Sequence, residues 1–182
     1  MPALRKALAA AVLCALGRGD TCGSIAFSGT SSYLTVSSPL YFTGDFTIEC
    51  WAKADPSGTY VGFYRRLFTL YPSSGTSYTD SDIEMSYVAE DSVSVLSHGS
   101  VLAYAPYPGT GSWVHYALTR SGSTLSFFVD GTLYPAGTLV GPVGSASSVF
   151  RIGGLDPSFV AITQWNGTIA DFRVIDGTAA YT

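Results

Sequence analysis

From Ser24 onward, apolar and polar residues alternate along most of the chain with a period of two. In Phe46–Ala54, "FTIECWAKA", the positions Phe46, Ile48, Cys50, Ala52 and Ala54 alternate with Thr47, Glu49, Trp51 and Lys53. That pattern predicts a strand with one face on a core and the other turned outward. Similar short segments read as strands: "SIAFSG", "SYLTV", "RRLFTLY", "DIEMSYVAE", "SVSVLSHG", "WVHYALTRSG", "TLSFFVDG", "SVFRIGG" and "GTIADFRVID". In the hairpin segment the inward residues are expected to be Val114, Tyr116 and Leu118 or their alternates. In the last strand, Ala170, Phe172 and Val174 are expected on one face, with Ile169, Asp171, Arg173 and Ile175 on the other. Gly, Pro, Ser and Asp fill the gaps, and Val129-Asp130-Gly131-Thr132 carries an Asp-Gly hairpin signal. "LAYAPYPGTGSW" reads as a Pro/Gly-rich loop. The expected fold is an all-β antiparallel sandwich.

The first residues differ. Leu4, Leu8, Val12 and Leu16 form an i, i+4 ridge between Pro2 and Gly17, the spacing of a short helix. "GRGDTCGS" reads as a link. The expected division is a helical arm and linker over 1–23 and a sandwich over 24–182.

Composition supports a β-rich domain. Charged residues make up 12% of the 182 residues, while Tyr, Phe, Ser, Thr and Gly are plentiful. The net charge of −4, with no basic run longer than a pair, argues against nucleic acid. No stretch of about 20 apolar residues occurs, so no membrane-spanning helix is expected. Cys14, Cys22 and Cys50 do not suggest a disulfide framework, and Cys50 reads as a small core residue.

The blocks "SIAFSGTSSYLTVSSPLYFTGDFTIECWAKA", "WVHYALTRSGSTLSFFVDGTL", "FRIGG" and "WNGTIADFRVIDGTAAYT" resemble the LamG-like, concanavalin A-like lectin/glucanase family. More narrowly, they resemble its versions in bacteriophage virion proteins. The resemblance covers about Ser24 to Thr182 and implies a jelly-roll sandwich. The family often has an aromatic residue where Cys50 stands and a second acidic one where Ala170 stands; neither departure threatens the fold, and both argue against a preserved family ligand site. Fold alone leaves function open among lectins, glycosidases and scaffolds.

Chemistry has to come from particular residues. Glycosidases of this fold place carboxylates with a Glu-x-Asp-x-x-Glu pattern. Here Trp51, Ser86 and Ser92 stand two residues after Glu49, Glu84 and Glu90, so the pattern is missing. Asp82 and Glu84 share a strand face; the favoured reading is a solvated polar face, and the other a carboxylate pair. His98 and His115 have no triad partners in the sequence pattern. Asp80 and Asp82 in "SYTDSD" are the candidate calcium ligands against a plain polar turn; no cofactor is otherwise expected. Sugar or protein contact needs aromatic groups beside hydrogen-bonding ones. The candidates are Tyr60, Tyr64, Tyr104, Tyr107, Trp165 and Asn166. "RGD" and the sequon "NGT" at Asn166–Thr168 are short enough to arise by chance.

The opening "MPALRKALAAAVLCALGRGD" fits a secretory signal, with Arg5 and Lys6 ahead of an apolar run and small residues at Ala15 and Gly17. The phage-type resemblance favours a retained arm instead, with Leu4, Leu8, Val12 and Leu16 docking on another subunit. The resulting expectation is a non-enzymatic virion surface protein, a capsid decoration protein whose partners are capsid proteins and further copies of itself, as a trimer. The alternative is a glycan-binding host-attachment protein or a secreted lectin-like module.

Overall fold

A computed structural model describes residues 23–30, 32–36, 38–56, 64–75, 77, 79–88, 92–155 and 164–182. The arm residues Leu4, Leu8, Val12 and Leu16, the cysteines Cys14 and Cys22, Tyr60 and Glu90 lie outside the described residues.

Among the described residues every regular element is a strand. They are β1 (Ser24–Ser28), β2 (Leu34–Thr35), β3 (Phe46–Ala54), β4 (Tyr64–Tyr71), β5 (Ile83–Val88) and β6 (Ser92–Ser97). Then come β7 (Ser100–Pro106), β8 (Val114–Ser121), β9 (Thr124–Val129), β10 (Thr132–Thr138), β11 (Val149–Ile152) and β12 (Asn166–Asp176). The strand order is β1-β12-β3-β8-β9-β10-β7-β6-β5-β4-β11-β2, all neighbours antiparallel. β10 and β7 meet at the pair Ala136 and Ala103. There the array turns over, so that β1-β12-β3-β8-β9-β10 forms a first sheet facing a second, β7-β6-β5-β4-β11-β2.

The inner faces follow the period of two. Phe46, Ile48, Cys50, Ala52 and Ala54 of β3 are buried, as are Val114, Tyr116 and Leu118 of β8. Phe172 of β12 meets Phe68 of β4 and Phe150 of β11 across the interior, at ring distances of 6.0 and 5.8 Å. The hydroxyls of Tyr87 and Tyr116 share a hydrogen bond between the sheets. Burial first, and then the neighbouring Tyr87, push the Tyr116 hydroxyl far above the ordinary tyrosine range. Cys50 is a free, buried thiol whose pKa is raised by burial and by the nearby Glu49 charge, which makes it a core residue rather than a nucleophile.

Two strands depart from the sequence reading. The expected loop at "LAYAP" is part of β7. Its inward side chains are Ala103 and Ala105, whose methyl groups give little apolar signal. β12 does not keep one alternation throughout. Its register against β3 shifts between Ala170 and Arg173, and Asp171 sits at φ 48°. This bulge puts Ile169 in the core with Phe172 and Val174, while Ala170 moves to the outer face. The Asp-Gly signal is realised: Asp130 and Gly131, at φ 47° and 76°, join β9 to β10.

Candidate functional site

Each sheet has an outer face, and their chemistry differs. On the second sheet the pairing sets Arg66 beside Ser86 and Ser94, and Glu84 beside Thr69 and Leu96. A solvated polar face was expected around Glu84. Instead Glu84 is 2% exposed, and its Oε2 lies 2.8 Å from Nε of an equally buried Arg66. Ser86 Oγ donates to Glu84 Oε1 at 3.3 Å. The bulge between Arg66 and Phe68 turns Arg66 onto the Glu84 face, a pairing that strict alternation along β4 does not predict. Tyr64 covers the guanidinium, its ring centre 5.7 Å from Arg66 Cζ. The hollow between Tyr64, Arg66 and Glu84 holds about 30 Å³, room for a water rather than a sugar.

The remaining sequence candidates do not form one site. Trp165 is wholly buried, its ring 4.8 Å from that of Tyr87. It is therefore a core residue and offers no surface to a ligand. Tyr107 stacks edge-on against Tyr87 at 5.2 Å and is half-buried. Asn166 opens β12 opposite Ser28 of β1. Tyr104 stands 68% exposed on β7, remote in strand order from Asn166. Asp80 Oδ2 accepts a bond from the Ser77 amide at 2.8 Å, and Asp82 Oδ2 accepts one from Ser148 Oγ at 3.0 Å. Burial raises the Asp82 carboxyl above its ordinary range, against the opposing pull of Ser148 and His98. Asp80 thus closes its own turn, and Asp82 ties that turn to Ser148 ahead of β11. Among the described residues no group of three His, Cys, Asp or Glu is placed to hold a metal ion.

The outer face of the first sheet gathers what the sequence reading missed. The β3–β8 register sets Trp51 against His115 and Glu49 against Ala117, and Ala117 in turn faces Phe128 of β9. Trp51 is 41% exposed and its ring centre lies 5.2 Å from that of His115. Trp113, 40% exposed, lies under Lys53 Nζ at 5.3 Å. The signal for Trp51 was present: it is the aromatic residue on the polar side of an otherwise amphipathic strand.

Residues 177–182 cross this face. Tyr181 brings its ring to within 6.3 Å of His115 and 5.8 Å of Phe128. Its hydroxyl donates to Glu49 Oε2 at 2.6 Å. Arg173 pairs with Glu49 Oε1, and His115 Nε2 lies 3.5 Å from Oε2. Glu49 is therefore 6% exposed yet satisfied. Beside it, His115, Ala117, Phe128, Gly131, Tyr181 and Thr182 line an open cleft of about 190 Å³.

The bond to Glu49 and then burial hold the Tyr181 hydroxyl above the ordinary tyrosine range. Because the folded value is raised, the contribution of this bond is whole below about pH 10 and lost as pH climbs through the raised value. A titration followed by tyrosinate absorbance should contain a late step that the Tyr181→Phe variant lacks.

Comparison with known proteins gives the same fold. No curated protein matches the chain in sequence. Among solved structures it is similar to a Trypanosoma rangeli sialidase in complex with 2,3-difluorosialic acid, with a TM-score of 0.56 and 18% identity over 73% of this chain and 21% of that one. Domains LG4-5 of the mouse laminin alpha1 chain give 0.58 and 14%, covering 84% and 40%. Domain 4 of AbnA, a GH43 extracellular arabinanase from Geobacillus stearothermophilus in complex with arabinotriose, gives 0.55 and 17%, covering 86% and 72%. The chain thus spans about a fifth of the sialidase. The model of the Laminin_G_3 family, in the concanavalin A-like lectin/glucanases superfamily, matches residues 28–179, and the chain belongs to that family.

Proposed function

We propose that the chain is a non-catalytic recognition domain that meets a surface glycan through the outer face of its first sheet. One observation carries the reading: Trp51 and Trp113 stand half out of that face, beside Lys53, His115 and the cleft. Exposed aromatic planes next to donors and acceptors suit a ligand with apolar ring faces and many hydroxyls. The arabinanase domain of the same fold, in complex with arabinotriose, is in keeping with this. The non-catalytic part rests on the glutamates. Glu49 and Glu84 are each held by an arginine, so neither is poised as an acid or a nucleophile.

A glycan array should show binding by the parent protein. Trp51→Ala should weaken it about tenfold, the loss of one aromatic platform. Tyr104→Ala, on the other sheet, should leave it unchanged. The reverse ranking would move the site to the second sheet.

The second reading is a decoration protein on a virion surface, docked on capsid proteins by an arm and assembled as a trimer. It is favoured by the phage-type blocks and by the ridge Leu4, Leu8, Val12 and Leu16. Mass spectrometry of purified particles tests it directly, and particles without the chain would end it. A lectin-like module outside the cell is the placement that goes with the first reading.

A further inference from the structure

The outer-face cleft is not made by the sheet itself. The row Glu49, Ala117 and Phe128 lies across adjacent pleated strands, and one face of such a row has no wall. The wall is supplied by residues 177–182. Tyr181 and Thr182 stand against His115, Ala117, Phe128 and Gly131 to enclose the hollow.

The hold on this segment is mostly polar. The Gly177 amide donates to Asp45 O at 2.7 Å, and the Ala180 amide to Thr47 Oγ1 at 2.8 Å. Thr47 Oγ1 donates to Thr178 O, and Thr119 Oγ1 donates to Tyr181 O, both at 2.9 Å. Gly177, Thr178, Ala180 and Thr182 are exposed, so Tyr181 supplies most of the segment's apolar contact. The segment's bonds run down to Thr47 and Thr119, which are buried, but with few apolar contacts and no place in either sheet it opens at lower cost than the core strands.

Glu49 fits this arrangement. A carboxylate on an outer sheet face would ordinarily stay in water. Here it is buried, with Arg173 on one oxygen and the Tyr181 hydroxyl on the other. Arg173 therefore fixes the carboxylate, and the carboxylate fixes Tyr181.

We propose that residues 177–182 form an adjustable strap that builds one wall of the ligand cleft, with Tyr181, anchored on Glu49, as the positioning residue that sets its width. The inference rests on the reading of this face as the glycan site. It adds that binding strength is controlled by a segment outside the sheets.

The test uses the full chain, a printed array of neutral and acidic oligosaccharides, and hydrogen exchange at the Ala180 amide. Tyr181→Phe keeps the ring and removes the bond to Glu49. It should weaken array binding about tenfold, the low end of the effect of losing one hydrogen bond to a charged group. It should also speed Ala180 exchange while the thermal midpoint falls by only a few degrees. Bound oligosaccharide should slow that exchange in the parent. If Tyr181→Phe binds as the parent does, whether or not exchange speeds up, the strap is not a wall of the site; Trp51→Ala still losing binding would leave the recognition reading intact. If the parent binds nothing on the array, both fall. Glu49→Gln, which keeps an acceptor in place, should behave as a milder copy of Tyr181→Phe, and full loss of its fold would assign Glu49 to stability alone and overturn the role given to it here.

Discussion

Phe172→Ala should lower stability by about 3–5 kcal/mol, the range for a fully buried phenylalanine. Phe172 is the ring on which the two sheets meet. It contacts Phe68 at 6.0 Å and Phe150 at 5.8 Å, and those two stack on each other at 5.6 Å. Removing it takes away the transfer energy of the ring and leaves a cavity between sheets whose strands cannot close in freely. Urea unfolding at equilibrium measures the change. Phe128→Ala, on the outer face, is the control and should cost much less. If both cost the same, the sheets are not packed through the Phe172 cluster.

Glu84→Ala should cost a similar amount, about 3–5 kcal/mol, for a different reason. The change leaves the guanidinium of Arg66, 1% exposed, without its carboxylate. The pair itself contributes little, because desolvating both ions cancels much of their attraction. Replacing both residues with apolar ones of similar volume, Arg66→Met with Glu84→Leu, should therefore recover most of the loss. The double-mutant cycle gives the coupling directly. A single variant within about 1 kcal/mol of the parent would place the pair in water and count as a surface salt bridge.

Much of the fold was legible because one physical signal repeats. β3 was readable residue by residue, since its inner positions carry Phe46, Ile48 and Cys50 and its outer ones Thr47, Glu49 and Lys53. β7 was not, because Ala103 and Ala105 bury only methyl groups and Pro106 suggests a loop. β12 was half-readable. Its apolar positions change parity between Ile169 and Phe172, which is what a bulge looks like in sequence, and strict alternation does not follow the chain across it. The site was harder. Aromatic residues near Gly and Pro drew attention to Trp165 and Tyr107, yet burial is decided by strands distant in sequence, and both pack on Tyr87. Arg66 and Glu84 are 18 residues apart, and only the β4–β5 register brings them together. Trp51 could have been found from its parity alone. Tyr181 could not, because it follows the last strand and carries no periodic pattern.

The pairing of β1 with β12 has a consequence for synthesis of the protein. Ile25 lies opposite Ile169, so the first of the described strands has its sheet neighbour in the last of them. β3 likewise waits for β12 on one side, with Ile48 opposite Val174. While the ribosome is still extending the chain, β1 has an unsatisfied edge and Phe27 has no closed interior to enter. The hairpins of β5 with β6 and of β8 with β9 pair residues near in sequence and do not need β12. Closure of the domain is held back until the last strand has left the exit tunnel, and it is slow by the standard of helical domains. The interval before closure is therefore when the nascent chain is most exposed to aggregation.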